Sequence, residues 1–215
     1  MRKLNILVVG DQHEGKSSFI NTLFKLLHPN TLIAVCDVGR TAQVGSLYYD
    51  MVTLNEVINL FDTAGKPFEK GSNLDELTKI FSGIPLGTHL INNISNCPPD
   101  YNNAIDGVIF VVRASQWNQE AMKKFVLFQN AVKGCLRNLP YNPMIVLTHA
   151  KECGLSEQQL CEKVQNAKPF VVMENATNYQ VPLSAETQVA SKRILRQLET
   201  WLLFGDNESC TNSLE

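Results

Sequence analysis

Residues 4–18, LNILVVGDQHEGKSS, decide the fold. The run Leu4, Ile6, Leu7, Val8, Val9 is short, apolar and β-branched, as in a strand buried on both faces. Gly10-Asp11-Gln12-His13-Glu14-Gly15-Lys16-Ser17 then matches G-x-x-x-x-G-K-[ST]. Beyond it Ile20, Leu23, Phe24 and Leu27 recur at helical spacing. The spacing has a chemical reason. Gly10 and Gly15 let the backbone wrap a phosphate, with successive amide N–H groups aimed at the anion. The positive end of the following helix adds to the attraction. Gln12, His13, Glu14, Gly15, Lys16, Ser17 and Ser18 are therefore the candidate phosphate-binding residues. Lys16 is placed to reach the β- and γ-phosphates, and the Ser17 hydroxyl to ligate Mg²⁺. His13 lines the phosphate mouth without acid–base work. A chance octet in a glycine-containing turn would lack this strand before it and this helix after it.

A second motif lies downstream. Val57-Ile58-Asn59-Leu60-Phe61 reads as a buried strand and runs into Asp62-Thr63-Ala64-Gly65. Alone, D-x-x-G is more often just a turn. At the end of an apolar strand, after a phosphate loop, it is the second half of the site. Asp62 would hold the Mg²⁺ shell and the Gly65 amide would face the γ-phosphate.

Composition narrows the function class. The chain has 215 residues, 44% apolar and 19% charged, which suits a globular domain with a substantial core. A net charge of −2 gives no pull toward nucleic acid or an acidic membrane. The six cysteines contain no C-x-x-C pair and read as reduced, mostly structural thiols, with a zinc site the lesser alternative. The N-terminal apolar run stops at Gly10, too early for a signal peptide, and no stretch is long enough to span a bilayer. Met1-Arg2 is not a myristoylation start, and Cys210 is misplaced for prenylation. The expectation is a cytoplasmic protein without a membrane anchor. One domain should occupy residues 1–205, with residues 206–215 a polar tail.

In chain order, residues 28–45 are irregular. Ser46–Thr53 and Glu56–Phe61 look like two strands joined tightly at Leu54-Asn55. Asn73–Phe81 has Leu74, Leu77 and Phe81 on one helical face. Residues 83–104 form a polar, Asn-rich connection, long enough to be functional or disordered. Val108–Val112 is a buried strand, followed by a helix with Met122, Phe125, Phe128 and Val132 inward. Met144–Leu147 is the next strand. Ser156 with Gln159 is a capping box, and Leu160, Cys161 and Val164 supply that helix's buried face. Phe170–Met173 is the last strand. Ser184 caps a final helix with a stripe of Ile194, Leu198, Trp201 and Leu202. This alternation predicts an α/β fold: a mostly parallel sheet covered on both sides. Ligands in such sheets bind beyond the carboxyl ends of the strands. The phosphate loop, D-x-x-G and the turns after Leu147 and Met173 all lie there.

With these motifs the chain resembles P-loop GTPases of the class that includes Ras-like and translation-factor proteins. Within that class it is similar to the interferon-induced, hepatitis-C-microtubular-aggregate GTPase-like family. The stretches that carry the resemblance are GDQHEGKSSFINTL, FDTAG, IFSGIPLGTHL, VIFVVRASQ, VLTHAKE, VVMENATN and the final helix. It implies a three-layer Ras-like G domain with strand order 2-3-1-4-5-6, guanine nucleotide (GTP or GDP) as ligand, and Mg²⁺ as cofactor. The base would lie against Thr148, His149, Lys151, Glu152 and Asn175, with His149 packing on the loop where many GTPases place lysine. Asn175 either approaches the base or serves a turn.

Two positions depart from the class. Its base-reading motif usually ends in Asp, whereas Thr148-His149-Ala150-Lys151 ends in lysine. Guanine presents two N–H donors there, which a carboxylate accepts and an ammonium cannot. Glu152, by a one-residue shift, or the backbone near Asn175 are the available substitutes. The glutamine that orients water in Ras-like proteins is replaced by Lys66, which has no acceptor lone pair. Thr41 is the candidate for the loop threonine that closes on Mg²⁺, with Ser46 as a rival and a solvated threonine as the plain alternative. Arg40 is either a cis arginine finger or a surface arginine. Lys16, Thr41, Gly65 and Lys66 thus make up the candidate catalytic set, and Ser17, Thr41 and Asp62 the Mg²⁺ set.

Three functions follow. The first is a switch that binds Mg-GTP, hydrolyses it slowly and selects an effector, an activating protein or a second copy of itself. The second is a non-catalytic P-loop module that keeps nucleotide as a structural ligand. The third is an ATPase or small-molecule kinase, disfavoured by the absence of an arginine-rich lid.

Overall fold

Strands β1 (Leu4–Val9), β2 (Asp50–Thr53), β3 (Ile58–Asp62), β4 (Gly107–Arg113), β5 (Met144–Thr148) and β6 (Phe170–Val172) form one sheet, ordered β2-β3-β1-β4-β5-β6. The structure is a computed structural model, and it describes residues 3–36, 48–63, 74–90, 94–135, 143–164, 170–176 and 178–205. β2 runs antiparallel to β3, and every other pairing is parallel. This is the mostly parallel α/β sheet, and the strand order, expected from the sequence.

Alternation along the strands sorts side chains into two layers. Leu7, Val9, Phe61, Phe110, Val112, Ile145 and Leu147 point to one face. There they meet α2 (Leu74–Ser82), α3 (Gln119–Cys135) and α4 (Glu157–Lys163) through Leu77, Ile80, Phe81, Phe125, Phe128, Val132, Leu160 and Val164. Ile6, Val8, Leu60, Ile109, Val111 and Val146 point to the other face. They pack on α1 (Lys16–Leu27) and α5 (Ala185–Gly205) through Phe19, Ile20, Leu23, Ile194, Leu198 and Trp201.

Helix starts follow local chemistry. The Ser156 hydroxyl accepts from the Gln159 amide at 3.2 Å while Gln159 Oε1 accepts from the Ser156 amide at 2.9 Å, a closed capping box. Ser184 Oγ likewise accepts from the Thr187 amide at the start of α5.

Strand ends shift by a residue or more from the sequence expectation, β6 ending at Val172 for instance, and the larger differences have local causes. β2 begins at Asp50, because Tyr48 instead forms an isolated bridge to His89, while Ser46 lies outside the described residues. β3 begins at Ile58, because Asn55 Oδ1 accepts from the amides of Val57 and Ile58 and curls the connection. The described parts of residues 83–104 are packed structure. Ile84, Leu90 and Ile94 are buried, with 3-10 turns at Ile94–Asn96 and Tyr101–Asn103. The asparagines there serve buried backbone. Asn103 Nδ2 donates to Ile84 O and Asp100 Oδ2, and Asn5 Nδ2 reaches the carbonyls of Asn102 and Ala104. Asn59 Nδ2 completes the seam by donating to Asn5 Oδ1 at 3.0 Å. Satisfying these groups internally is what lets a polar segment be buried.

Candidate nucleotide site

The phosphate loop leaves β1 between two glycines that cannot be replaced without movement. Gly10 has φ +154°, and a Cβ there would sit 2.1 Å from Val111 O on β4. Gly15 has φ +89° and caps α1 in the left-handed region. His13 (φ 65°) and His149 (φ 53°) are the non-glycine residues with positive φ among those described; the first lies within this loop and the second beside it. Such conformations cost roughly 1–3 kcal/mol each and concentrate at functional sites.

The lysine and the metal candidates are already aligned. Lys16 is 7% exposed, and its Nζ donates to Gly10 O at 3.1 Å and Asp11 O at 2.9 Å, lying along the loop. Ser17 Oγ donates to Asp62 Oδ2 at 2.7 Å. Asp62 is 1% exposed, and its Oδ1 accepts from the Thr63 amide. Thr63 in turn donates to Val8 O, tying the end of β3 to β1. A hydroxyl and a carboxylate oxygen, held together on two elements, are the hard oxygen donors that Mg²⁺ takes. Gln12 and Ser18 are half-buried and His13 is exposed. Thr41, Gly65 and Lys66, with Arg40 and Ser46, lie outside the described residues.

Glu14 is placed unexpectedly. Its side chain turns to the end of β4, where the carboxylate accepts from the Arg113 amide, and the residue is 2% exposed. Its share in anion binding therefore falls to its main chain. Burial raises its pKa above the ordinary value, opposed by the hydrogen bond from the Arg113 backbone. The folded state thus holds this proton more tightly than the unfolded chain does. That stabilisation is full below the ordinary carboxylate range and is lost as pH rises through the raised value. Glu14→Gln keeps an acceptor for Arg113 and removes the buried charge. It should raise Tm near pH 7.5 by about 2–4 °C, the shift that ~1 kcal/mol produces at this chain length. Thermal melts should show the gap closing as pH falls toward 4.5, the ordinary glutamate value.

The base-side loops close on the phosphate loop from the far strands. Thr148 is fully buried, and its Oγ1 donates to Glu14 O at 2.8 Å, so it braces the loop. Asn175 Nδ2 donates to Gly15 O at 3.1 Å, while its Oδ1 is buried with no hydrogen-bond partner among the described residues. A Cβ on Gly15 would lie 2.7 Å from Asn175 Nδ2 and 3.5 Å from His149 Nε2, so the two loops meet over this glycine. His149 Nδ1 pairs with Glu152 Oε1 at 2.9 Å. That contact, with Arg113 nearby, lowers the Glu152 pKa. Lys151 is 67% exposed, and its Nζ turns to Glu186 Oε2 at 2.9 Å on the first turn of α5. That partner raises the Lys151 pKa and keeps the ammonium charged. The structure therefore brings Gly15–Ser17, Asp62, Thr148, His149 and Asn175 together, and draws the side chains of Lys151 and Glu152 elsewhere.

Four participants had escaped the sequence reading. Arg113 Nε donates to His13 O at 3.0 Å, and its guanidinium lies 3.9 Å from Glu152. A cation ending an apolar strand at the ligand rim was the available signal. Lys25 is buried on α1 and donates to the carbonyls of Pro29, Thr31 and Tyr179, fastening the loop after α1 to the loop before α5. Its partners are all backbone, so nothing in the side-chain pattern announces it. Glu174 accepts from the Lys151 amide, and Glu186 holds the Lys151 ammonium. Both are ordinary surface glutamates in the sequence.

No protein-family model and no curated protein matches the chain. Solved structures do resemble it. Toc33 from Arabidopsis thaliana, in complex with GDP and Mg²⁺, is 15% identical, with a TM-score of 0.51 over 94% of this chain and 84% of that one. The Roco2 RocCORdC structure of Methanosarcina barkeri, bound to GDP, gives 15% identity and a TM-score of 0.47 over 93% of this chain. This chain spans 50% of that protein's length. The G domain of the T. maritima FeoB iron transporter gives 15% identity and a TM-score of 0.49, over 94% of this chain and 99% of that one. Sheet order, layer arrangement and the likeness to Toc33 agree, and the chain has the α/β fold of P-loop NTPases in its G-domain form.

Proposed function

We propose that this chain is a guanine-nucleotide-binding switch that takes Mg-GTP and hydrolyses it slowly to GDP. The observation that carries the reading is the Ser17–Asp62 hydrogen bond beside the glycine-framed loop. It couples the two motif halves at the rim where such sheets bind ligands. Ser17 and Asp62 would hold Mg²⁺, which would supply neutralisation of triphosphate charge. The loop amides and Lys16 orient the β- and γ-phosphates, and Thr148 and Asn175 keep the loop shaped for them. Thr41 and the Gly65 amide are proposed to complete the γ-phosphate side.

The resemblance of VLTHAKE and VVMENATN supports placing the chain near the interferon-induced, hepatitis-C-microtubular-aggregate GTPase-like proteins. Free thiols at Cys97 and Cys153, among the described residues, suit a reducing compartment such as the cytoplasm. Among the described residues no helix is long and apolar enough to cross a membrane. An effector, an activating protein or a second copy of the chain is the proposed partner, and residues 1–205 the nucleotide-binding unit.

Lys66 favours one second reading, a nucleotide-holding module without turnover, since it offers no lone pair to orient water. Single-turnover assays separate the two. The switch reading expects GTP hydrolysis on the order of 10⁻² s⁻¹ or slower in the isolated chain, the unassisted range of the class. Identical rates with and without protein would leave the module reading. Hydrolysis of ATP but not GTP would overturn both.

A further inference from the structure

Resting on the nucleotide-site reading above, the inference concerns what selects the base. Guanine's edge presents an N1–H and an exocyclic 2-amino group, both donors, and needs acceptors opposite. Lys151 occupies the place where the related proteins carry aspartate. Its ammonium is committed to Glu186 and lies out in solvent. Glu152 is also committed: one carboxylate oxygen pairs with His149 and the other faces Arg113 at 3.9 Å, on the phosphate-loop side. The one-residue shift that would bring it to the base is thereby disfavoured.

A different carboxylate stands at position 151. Glu174, one residue beyond Met173 at the end of β6, reaches across so that its Oε1 accepts from the Lys151 amide at 2.5 Å. Its carboxylate therefore lies beside the main chain from which an aspartate at 151 would project. The other oxygen, Oε2, makes no hydrogen bond or ion pair with the described residues. The Glu174 backbone is fixed as well, its carbonyl accepting from Thr187 Oγ1 at 3.2 Å. Next to it, Asn175 is anchored through Nδ2 on Gly15, and its Oδ1 is a buried acceptor without a donor among the described residues. A buried acceptor left unmatched is costly, and a ligand donor relieves it. We infer that Glu174, with Asn175 Oδ1 beside it, is the guanine-reading acceptor of this chain, replacing from β6 the carboxylate that Lys151 displaces after β5.

The chemistry discriminates among purines. Guanine offers two donors to these acceptors, and hypoxanthine lacks the 2-amino donor. Adenine puts a lone pair at N1 against the carboxylate, and xanthine puts a carbonyl at C2. Glutamine at 174 would keep one acceptor and add a donor suited to that carbonyl.

The test is calorimetric titration of the full chain and of Glu174→Gln with Mg²⁺ and GTP, ITP, XTP or ATP. The parent should bind GTP more tightly than ITP or ATP. Glu174→Gln should weaken GTP about ten- to a hundredfold, ~1.4–2.8 kcal/mol by the tenfold rule. It should strengthen XTP and leave ATP within about twofold. A merely structural Glu174 would lower all four together, and that result overturns the inference. So does undiminished guanine selectivity in the variant, or a parent that binds the four nucleotides alike or prefers ATP. A parent that binds none of them instead overturns the nucleotide site itself.

Discussion

Lys16→Ala is expected to weaken Mg-triphosphate binding by about thirtyfold to a few thousandfold. Truncating one partner of a buried, hydrogen-bonded charge pair costs about 2–5 kcal/mol, and ~1.4 kcal/mol is tenfold. The lysine is 7% exposed and already lies against the carbonyls of Gly10 and Asp11, so little of it must be reordered to meet a phosphate. The same two contacts mean that its removal is not neutral for the fold. Two neutral acceptors lose a charged donor, and a stability loss of about 1–2 kcal/mol should accompany the loss of binding. Titration together with denaturant melts separates the effects. A variant that melts near the parent and binds GTP as tightly would refute the phosphate cradle.

Gly10→Ala should carry the largest stability effect. The new methyl would stand 2.1 Å from Val111 O, a backbone atom of the central strand β4, at a φ of +154°. Overpacking of a dry core costs about 1–3 kcal/mol, and a strained backbone conformation about 1–3 kcal/mol more. The sum, about 2–6 kcal/mol, predicts a fall in Tm of roughly 4–24 °C, at about 2–4 °C per kcal/mol. Nucleotide binding should fall with it, because the displaced atoms open the loop. A melt within 2 °C of the parent, on the scale of about 1 kcal/mol, would show that the β1–β4 contact yields more easily than the geometry says.

Much of this was legible in the sequence, and the exceptions share a cause. Near-continuous apolar runs in Leu4–Val9, Gly107–Arg113 and Met144–Thr148 mark buried strands whatever their neighbours do, and both serine caps depend on residues three apart. Such features are local, so the chain displays them directly. The Asn-rich stretch before β4 looked like a loop because its asparagines are polar. Asn103 donates to Ile84 O, and the carbonyls of Asn102 and Ala104 accept from Asn5 on β1, neighbours only after folding. The base rim is the same case. Lys151 looked like an intruding cation until Glu186 took it away, and Glu174 showed nothing until β6 was set beside β5. A residue's chemistry is visible in sequence, but the partner that commits it is not.

Arg113 ends β4 and touches three things: its amide meets Glu14, its Nε meets His13 O, and its guanidinium faces Glu152. One side chain thus spans the seam between the half of the site that would hold phosphate and the half that would hold the purine. Two ligand fragments that share such a strut do not bind as strangers. If pyrophosphate pulls His13 and Glu14 into place, Glu152 and the His149 it steadies are drawn with them, and the nucleoside finds its pocket partly assembled. Reciprocity then obliges the nucleoside to favour pyrophosphate by the same factor.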